Sequence, residues 1–222
     1  VLDDAYCQAE SISVTEHQGV SLVKEQIRFV HAMEKGGYLD RALEYIPDDE
    51  TLLEREKLGK ALTRPELSVL IAYGKMVLKE DLVSDDIAND EFHAQQLMQY
   101  FPTELRRNYS QHMDNHPLRA EIIATALANQ MVNEMGCNFI TRLQEETGAN
   151  IVDIANAYAA SREIYGLGKV LKSIRELDNI SSSEAQYELL YHVRRTLRRL
   201  TRWLLRNRTG KQSVKALVEL YQ

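Results

Sequence analysis

Apolar positions recur at intervals of three and four along almost the whole 222-residue chain, the spacing that lines one face of an α-helix. Alternating strand patterns are almost absent. The four prolines fall where helices begin: Pro47 before DDETLLEREK, Pro65 in TRPELSVLIAYGKMVL, Pro102 in YFPTELRRNY and Pro117 in HPLRAEIIATALANQ. Proline is tolerated there because the first N–H groups of a helix have no intrahelical partner. Thr63 and Glu66 have the spacing of a capping box, in which each side chain satisfies the other's free backbone N–H. Gly36–Gly37, Gly59, Gly136, Gly148 and Gly166 each follow a periodic stretch, at the position where a left-handed residue stops a helix. The pattern predicts an all-α fold, an irregular multi-helix bundle of about ten helices with short links.

Two stretches are apolar around the whole wheel, Leu67 to Leu78 and Leu118 to Met135, and are expected to form the centre of the core. Ala120, Ala124, Ala126 and Ala128 on one, and Gly74 on the other, are small enough to let backbones approach closely. No repeat period is visible. The best candidate boundary is SISVTEHQG, Ser11 to Gly19, giving a short segment 1–18 and a helical domain 19–222.

Composition is that of a globular protein, 44% apolar and 27% charged. No apolar run approaches the ~18 residues that cross a bilayer, and the start lacks the basic, apolar and small-residue succession of a secretory signal. A cytoplasmic location without membrane contact is expected. Cys7 and Cys137 are too few for a cysteine metal cluster and lack CxxC spacing; two buried thiols are expected, with a single disulfide as the alternative. Charge is unevenly distributed. From His192 to Gln222 there are nine Lys and Arg against Glu219, giving +8, so the first 191 residues carry −14 of the total −6.

Chemistry is sparse. Dinucleotide binding needs a glycine-rich turn between a strand and a helix, whereas Gly166-Leu167-Gly168 lies between two predicted helices and has no third glycine. His112 and His116 have i, i+4 spacing, but HMDNH lacks the Glu that would act as base in a metalloprotease, and Pro117 biases His116 away from helix. Glu54, Glu56, Glu145 and Glu146 read as solvated helix faces without a partner for acid–base work. No catalytic, cofactor-binding or metal-ligating residue is expected in this segment.

The stretch VRRTLRRLTRWLLRNR, Val193 to Arg208, holds seven arginines in sixteen residues. On a helical wheel Arg194, Arg195, Arg198, Arg199, Arg202 and Arg206 fall within an arc of about 140°, opposite Val193, Leu197, Leu200 and Leu204. This is the one candidate interaction face. Its charge is expected to be met by carboxylates, with KEDLVSDDIANDE, Lys79 to Glu91, as the nearest acidic stretch. An independent helical interaction module that binds nucleic acid or an acidic partner through the same face, 194–206, is the alternative. Nucleic acid is disfavoured because the body is acidic and Trp203 is the only aromatic in the run.

Several stretches together resemble the large-subunit, NAD-specific glutamate dehydrogenases of bacteria: DDAYCQAESISV, GGYLDRALEYIP, LTRPELSVLIAYGKMVLKEDL, YFPTELRR, HPLRAEIIATALANQMVNEMG, NFITRLQEETGA and TRWLLRNR. They run in order from about Asp3 to Arg208. In that family one very long chain carries regulatory-type domains, a dehydrogenase core and an extended helical region, and DDAYCQAESISV resembles the segment just after the core. The resemblance implies a helical C-terminal piece of a parent that converts L-glutamate, water and NAD to 2-oxoglutarate, ammonium and NADH. The family's catalytic lysine and aspartate and its NAD-binding residues belong upstream, and no residue here matches them. The implied partners are the catalytic core of the same chain and other subunits of a homo-oligomer. The family chain continues beyond Gln222, which implies that SVKALVELYQ is a helix without its following partner.

Overall fold

The computed structural model describes residues 2–85, 87–207 and 213–221. Among them are twelve α-helices and two short 3-10 turns, with no strand. The helices are α1 (Leu2–Gln18), α2 (Val23–Lys35), α3 (Asp49–Lys57), α4 (Arg64–Ser84), α5 (Glu91–Tyr100), α6 (Thr103–Met113), α7 (Arg119–Met135), α8 (Phe139–Thr147), α9 (Ile151–Ile164), α10 (Leu167–Arg175), α11 (Ser183–Asn207) and α12 (Val214–Tyr221). The all-α class is as expected. The count is close to the ten or so expected.

Helix boundaries follow the local chemistry. Glu66 accepts the Thr63 N–H at 2.6 Å, closing the capping box of α4. Asp48 caps α3, accepting Thr51 N–H at 2.8 Å, and Asn150 caps α9, accepting Asp153 N–H at 2.8 Å. Each such cap contributes roughly 1 kcal/mol. All four prolines stand just before or within a first turn.

α7 is the central helix. It packs most extensively against α4, then against α5 and α1, and touches the long α11. Ile123, Ala124, Leu127, Ala128, Met131, Val132 and Met135 are buried, and no residue of α7 is exposed. The same expectation does not hold for α4. It buries Leu67, Leu70, Ile71, Gly74, Leu78 and Leu82, but Met76 is 56% exposed. The more deeply placed helix is α9, where every residue from Asp153 to Ser161 is buried. It packs against α11, α12 and α8. Alanines at 155, 157, 159 and 160 let these neighbours close around it.

Gly74 marks a tight crossing. A Cβ there would lie 3.0 Å from the Cβ of Cys137, in the turn after α7, and 3.5 Å from the Phe29 ring. Residues 1–18 are almost wholly α1, which lies on α7 and α11 with Ser11, Ile12, Val14 and Thr15 buried. α12 packs on α9, with Val214 and Leu217 buried.

Candidate functional site

The arginine helix α11 does not present its six candidate arginines as one surface. Its inward stripe is Leu190, Arg194, Leu197, Thr201, Leu204 and Leu205. Arg194 therefore lies inside, 9% exposed, where the wheel placed it outside. The reason is the C-terminal end of α7, whose last carbonyls lack intrahelical partners and carry the negative end of the helix dipole. Arg194 Nε donates to the Glu134 carbonyl at 3.0 Å, Nη1 to Thr15 Oγ1 at 3.1 Å and Nη2 to Ser11 Oγ at 3.3 Å. Burial pushes its pKa down to about 10, partly offset by Cys137 and Glu10. It remains a cation at neutral pH and ties α11 to α1 and α7.

Arg202 and Arg206 converge on the end of α8. Arg202 Nη1 donates to Glu146 Oε2 at 3.1 Å, and Arg206 Nη2 to the Glu146 carbonyl at 3.3 Å. Arg142 donates to the other carboxylate oxygen of Glu146 at 2.8 Å and also to Glu25, whose second oxygen accepts from Asn138 Nδ2 at 2.8 Å. Burial acts to raise the Glu146 carboxyl, but hydrogen bonds from Arg142 and Arg202 outweigh it and hold the group below its usual range. Glu146 is thus the hub of the arginine face rather than a solvated carboxylate. The acidic stretch Lys79–Glu91 is not its partner among the described residues: Asp90 accepts from the Val214 N–H and Glu91 faces Lys215. Asp86 and Arg208 lie outside the described residues.

Arg195 and Arg199 are exposed, and Arg198 is half-buried. Arg195 and Arg198 edge a cleft of about 290 Å³ between α11, α8 and the corner joining α1 to α2, with Glu25, Arg142 and Tyr191 also in its walls. A wider groove of about 890 Å³ runs along the polar side of α7, past Thr125, Ala126, Asn129 and Gln130, between Cys7 and Tyr100. Beneath its rim Glu134 accepts from Tyr158 Oη and from Arg162 Nε at 3.2 Å.

The remaining candidates resolve locally. Gly166-Leu167-Gly168 joins α9 to α10, with Gly166 at φ +59°, so it is a helix-to-helix turn. His112 is exposed in α6, while His116 lies beyond that helix and its Nδ1 accepts the Leu118 N–H at 3.1 Å. No three His, Cys, Asp or Glu side chains come together as metal ligands among the described residues. Both cysteines are free; Cys137 is buried, Cys7 only half so. Burial raises the Cys137 thiol to about 12. No helix among the described residues is long and apolar enough to cross a membrane.

One pair escaped the sequence reading. His93 on α5 is fully buried and its Nε2 lies 2.9 Å from Asn156 Oδ1 on α9. A polar residue on each of two otherwise apolar faces was the available signal, without any spacing to link them.

What the fold and surface define is an all-α domain with an arginine-lined cleft. The chain belongs to the glutamate dehydrogenase family: the family model described as "Glutamate dehydrogenase, C-terminal" matches residues 59–222. Three relatives, each named NAD-specific glutamate dehydrogenase, align over nearly the whole chain. The protein of Halomonas elongata is 41% identical over 213 residues, 95% of this chain and 13% of its own length. That of Pseudomonas aeruginosa is 38% identical over 211 residues, 95% of this chain and 13% of its own length. That of Mycobacterium tuberculosis is 32% identical over 197 residues, 88% and 12%. The chain therefore spans about an eighth of these relatives.

Proposed function

We propose that this chain is a non-catalytic helical part of a cytoplasmic NAD-dependent glutamate dehydrogenase, and that it supports the reaction by packing on the catalytic core or on neighbouring subunits. The parent reaction is oxidation of L-glutamate by NAD to 2-oxoglutarate, ammonium and NADH. The observation that carries the reading is the alignment of nearly the whole chain with about an eighth of three NAD-specific glutamate dehydrogenases. The geometry supports it. The glycine turn sits between helices, whereas a pyrophosphate is bound where a strand turns into a helix. Three of the six candidate arginines of α11, Arg194, Arg202 and Arg206, are engaged in holding α1, α7 and α8 together, which is a structural use of positive charge. The catalytic residues and NAD contacts then lie elsewhere in the parent.

The packing role is tested by expressing the parent's remaining polypeptide separately and mixing it with the 222-residue chain. Sedimentation velocity should show a stoichiometric complex. Two species that sediment independently at micromolar concentration would refute the packing role.

A further inference from the structure

Arg198 stands apart from the other half-buried arginines. Arg41, Arg142, Arg162 and Arg175 each hold a carboxylate, at Asp49, Glu146, Glu134 and Glu10 respectively. Arg198 makes no hydrogen bond or ion pair with any described residue, although it is drawn partly out of water. None of its nitrogens is a buried atom without a partner; they stay open to water on the edge of the cleft, free to donate to a ligand that enters it. Burial acts against the charge of Arg142 and Arg162 as well, but their carboxylates outweigh it; at Arg198 burial, then the neighbouring charge of Arg142, prevails and lowers the pKa.

The cleft supplies the rest of a site. Four guanidiniums line it, those of Arg142, Arg194, Arg195 and Arg198, against the single carboxylate of Glu25. Glu25 is taken up by Arg142 and Asn138, and Arg194 by the end of α7. Two positive charges are left, Arg195 and Arg198, three residues apart and so side by side on α11. Tyr191, one turn earlier, adds a hydroxyl on the same wall, Gln18 faces it, and Phe139 contributes apolar surface. A volume of about 290 Å³ suits a molecule of few heavy atoms and lies near the lower end of small-ligand sites.

We propose that this cleft binds a small dianion, a dicarboxylate or a phosphate monoester, through forked hydrogen bonds from Arg195 and Arg198. Two unspent guanidiniums match two negative charges, and planar forks suit carboxylate and phosphate oxygens alike. Glu25 at the opposite wall disfavours long polyanions, because any charge reaching past the arginine pair meets a carboxylate.

The test is a thermal-melting titration of the 222-residue chain with sodium succinate and with sodium phosphate, each against sodium chloride at the same ionic strength. At least one dianion should raise the melting temperature saturably, and chloride should not. A response to succinate alone assigns the site to dicarboxylates, and one to phosphate alone assigns it to phosphate esters. The pair Arg195→Gln and Arg198→Gln should weaken binding by roughly tenfold or more. Without ligand, Arg198→Gln alone should melt no lower than the parent sequence, since burial and the charge of Arg142 outweigh the attraction of Glu25 and Glu146 for that cation; a lowered midpoint would mark Arg198 as a structural residue and overturn the proposal. So would the absence of a saturable response to either dianion, or a response that survives in the Gln pair. Should the pair fail to fold, butanedione labelling of the unaltered chain reads the same site by mass spectrometry. The effective dianion should shield Arg195 and Arg198 but leave Arg199 and Arg28 reactive, and uniform shielding, or none, contradicts the assignment.

Discussion

Ala124 and Ala126 sit two residues apart on α7 and separate the core from the groove. Ala124 is wholly buried; Ala126 is half-buried and faces the groove of about 890 Å³. Substituting each by Phe adds the same side chain to two different environments. At Ala124 the ring has no free volume to enter, so neighbours must leave their rotamers or the backbone must shift, at a cost of about 1–3 kcal/mol and at times more. For a chain of this size one kcal/mol corresponds to roughly 2–4 °C in the melting temperature. Ala124→Phe should therefore lower the midpoint by about 2–12 °C. At Ala126 the ring can lie in the groove, and a change there should stay within about 0.5 kcal/mol, or roughly 2 °C. Circular dichroism at the helical minimum, followed through a thermal ramp on all three proteins, gives the comparison. Equal drops for both variants, or a larger drop for Ala126→Phe, would refute the placement of the two faces of α7.

Further outcomes follow from the ion pairs, thiols and buried histidine. Glu146→Gln removes the charged acceptor shared by Arg142 and Arg202 and should cost about 1–3 kcal/mol, discounted for the partial exposure of Arg202; an unchanged midpoint in urea denaturation would show that the hub contributes nothing. With a thiol reagent near pH 8, Cys7 should react in the native chain and Cys137, whose pKa burial raises to about 12, should react only after denaturation; prompt reaction of both would contradict the burial. Burial lowers the pKa of His93, against smaller opposing effects of Asn156 and Asp90, so folding favours the neutral ring. Its contribution is complete above the unfolded value of about 6.5 and is lost as pH falls through the lower folded value. His93→Gln should flatten that acid-side fall in melting temperature, and an unaltered pH profile would remove His93 from the account.

Much of this architecture is legible in the chain before any coordinates. The capping box at Thr63 and Glu66 and the prolines ahead of α3, α6 and α7 are local signals that local hydrogen bonding decides, whereas α7, expected to be apolar all round, keeps a polar side along the groove. The central burial of α9 is not legible in the same way, because IVDIANAYAASREI mixes alanines with Asp153, Asn156 and Ser161. Its burial depends on how closely neighbours approach, which no periodicity encodes. Arg194 was misplaced for a related reason. Arginine on a wheel reads as solvent-facing, and only the tertiary position of the α7 C-terminus explains why a cation belongs inside. The role of Glu146 likewise requires α8 and α11 to meet, 56 residues apart for the pair with Arg202. The cleft at Arg195 and Arg198 combines three separated segments and had no sequence signature beyond the arginines themselves.

The central claim, that this is a non-catalytic part of an NAD-dependent glutamate dehydrogenase, is tested most directly by following NADH absorbance with L-glutamate and NAD. The parent polypeptide containing residues 1–222 and the 222-residue chain alone are assayed side by side, with calorimetric titration of NAD into the latter. The account predicts glutamate-dependent NADH formation by the parent, and neither turnover nor saturable heat of NAD binding from the chain alone. A parent without glutamate-dependent NAD reduction, or saturable micromolar NAD binding by the isolated chain, would contradict it.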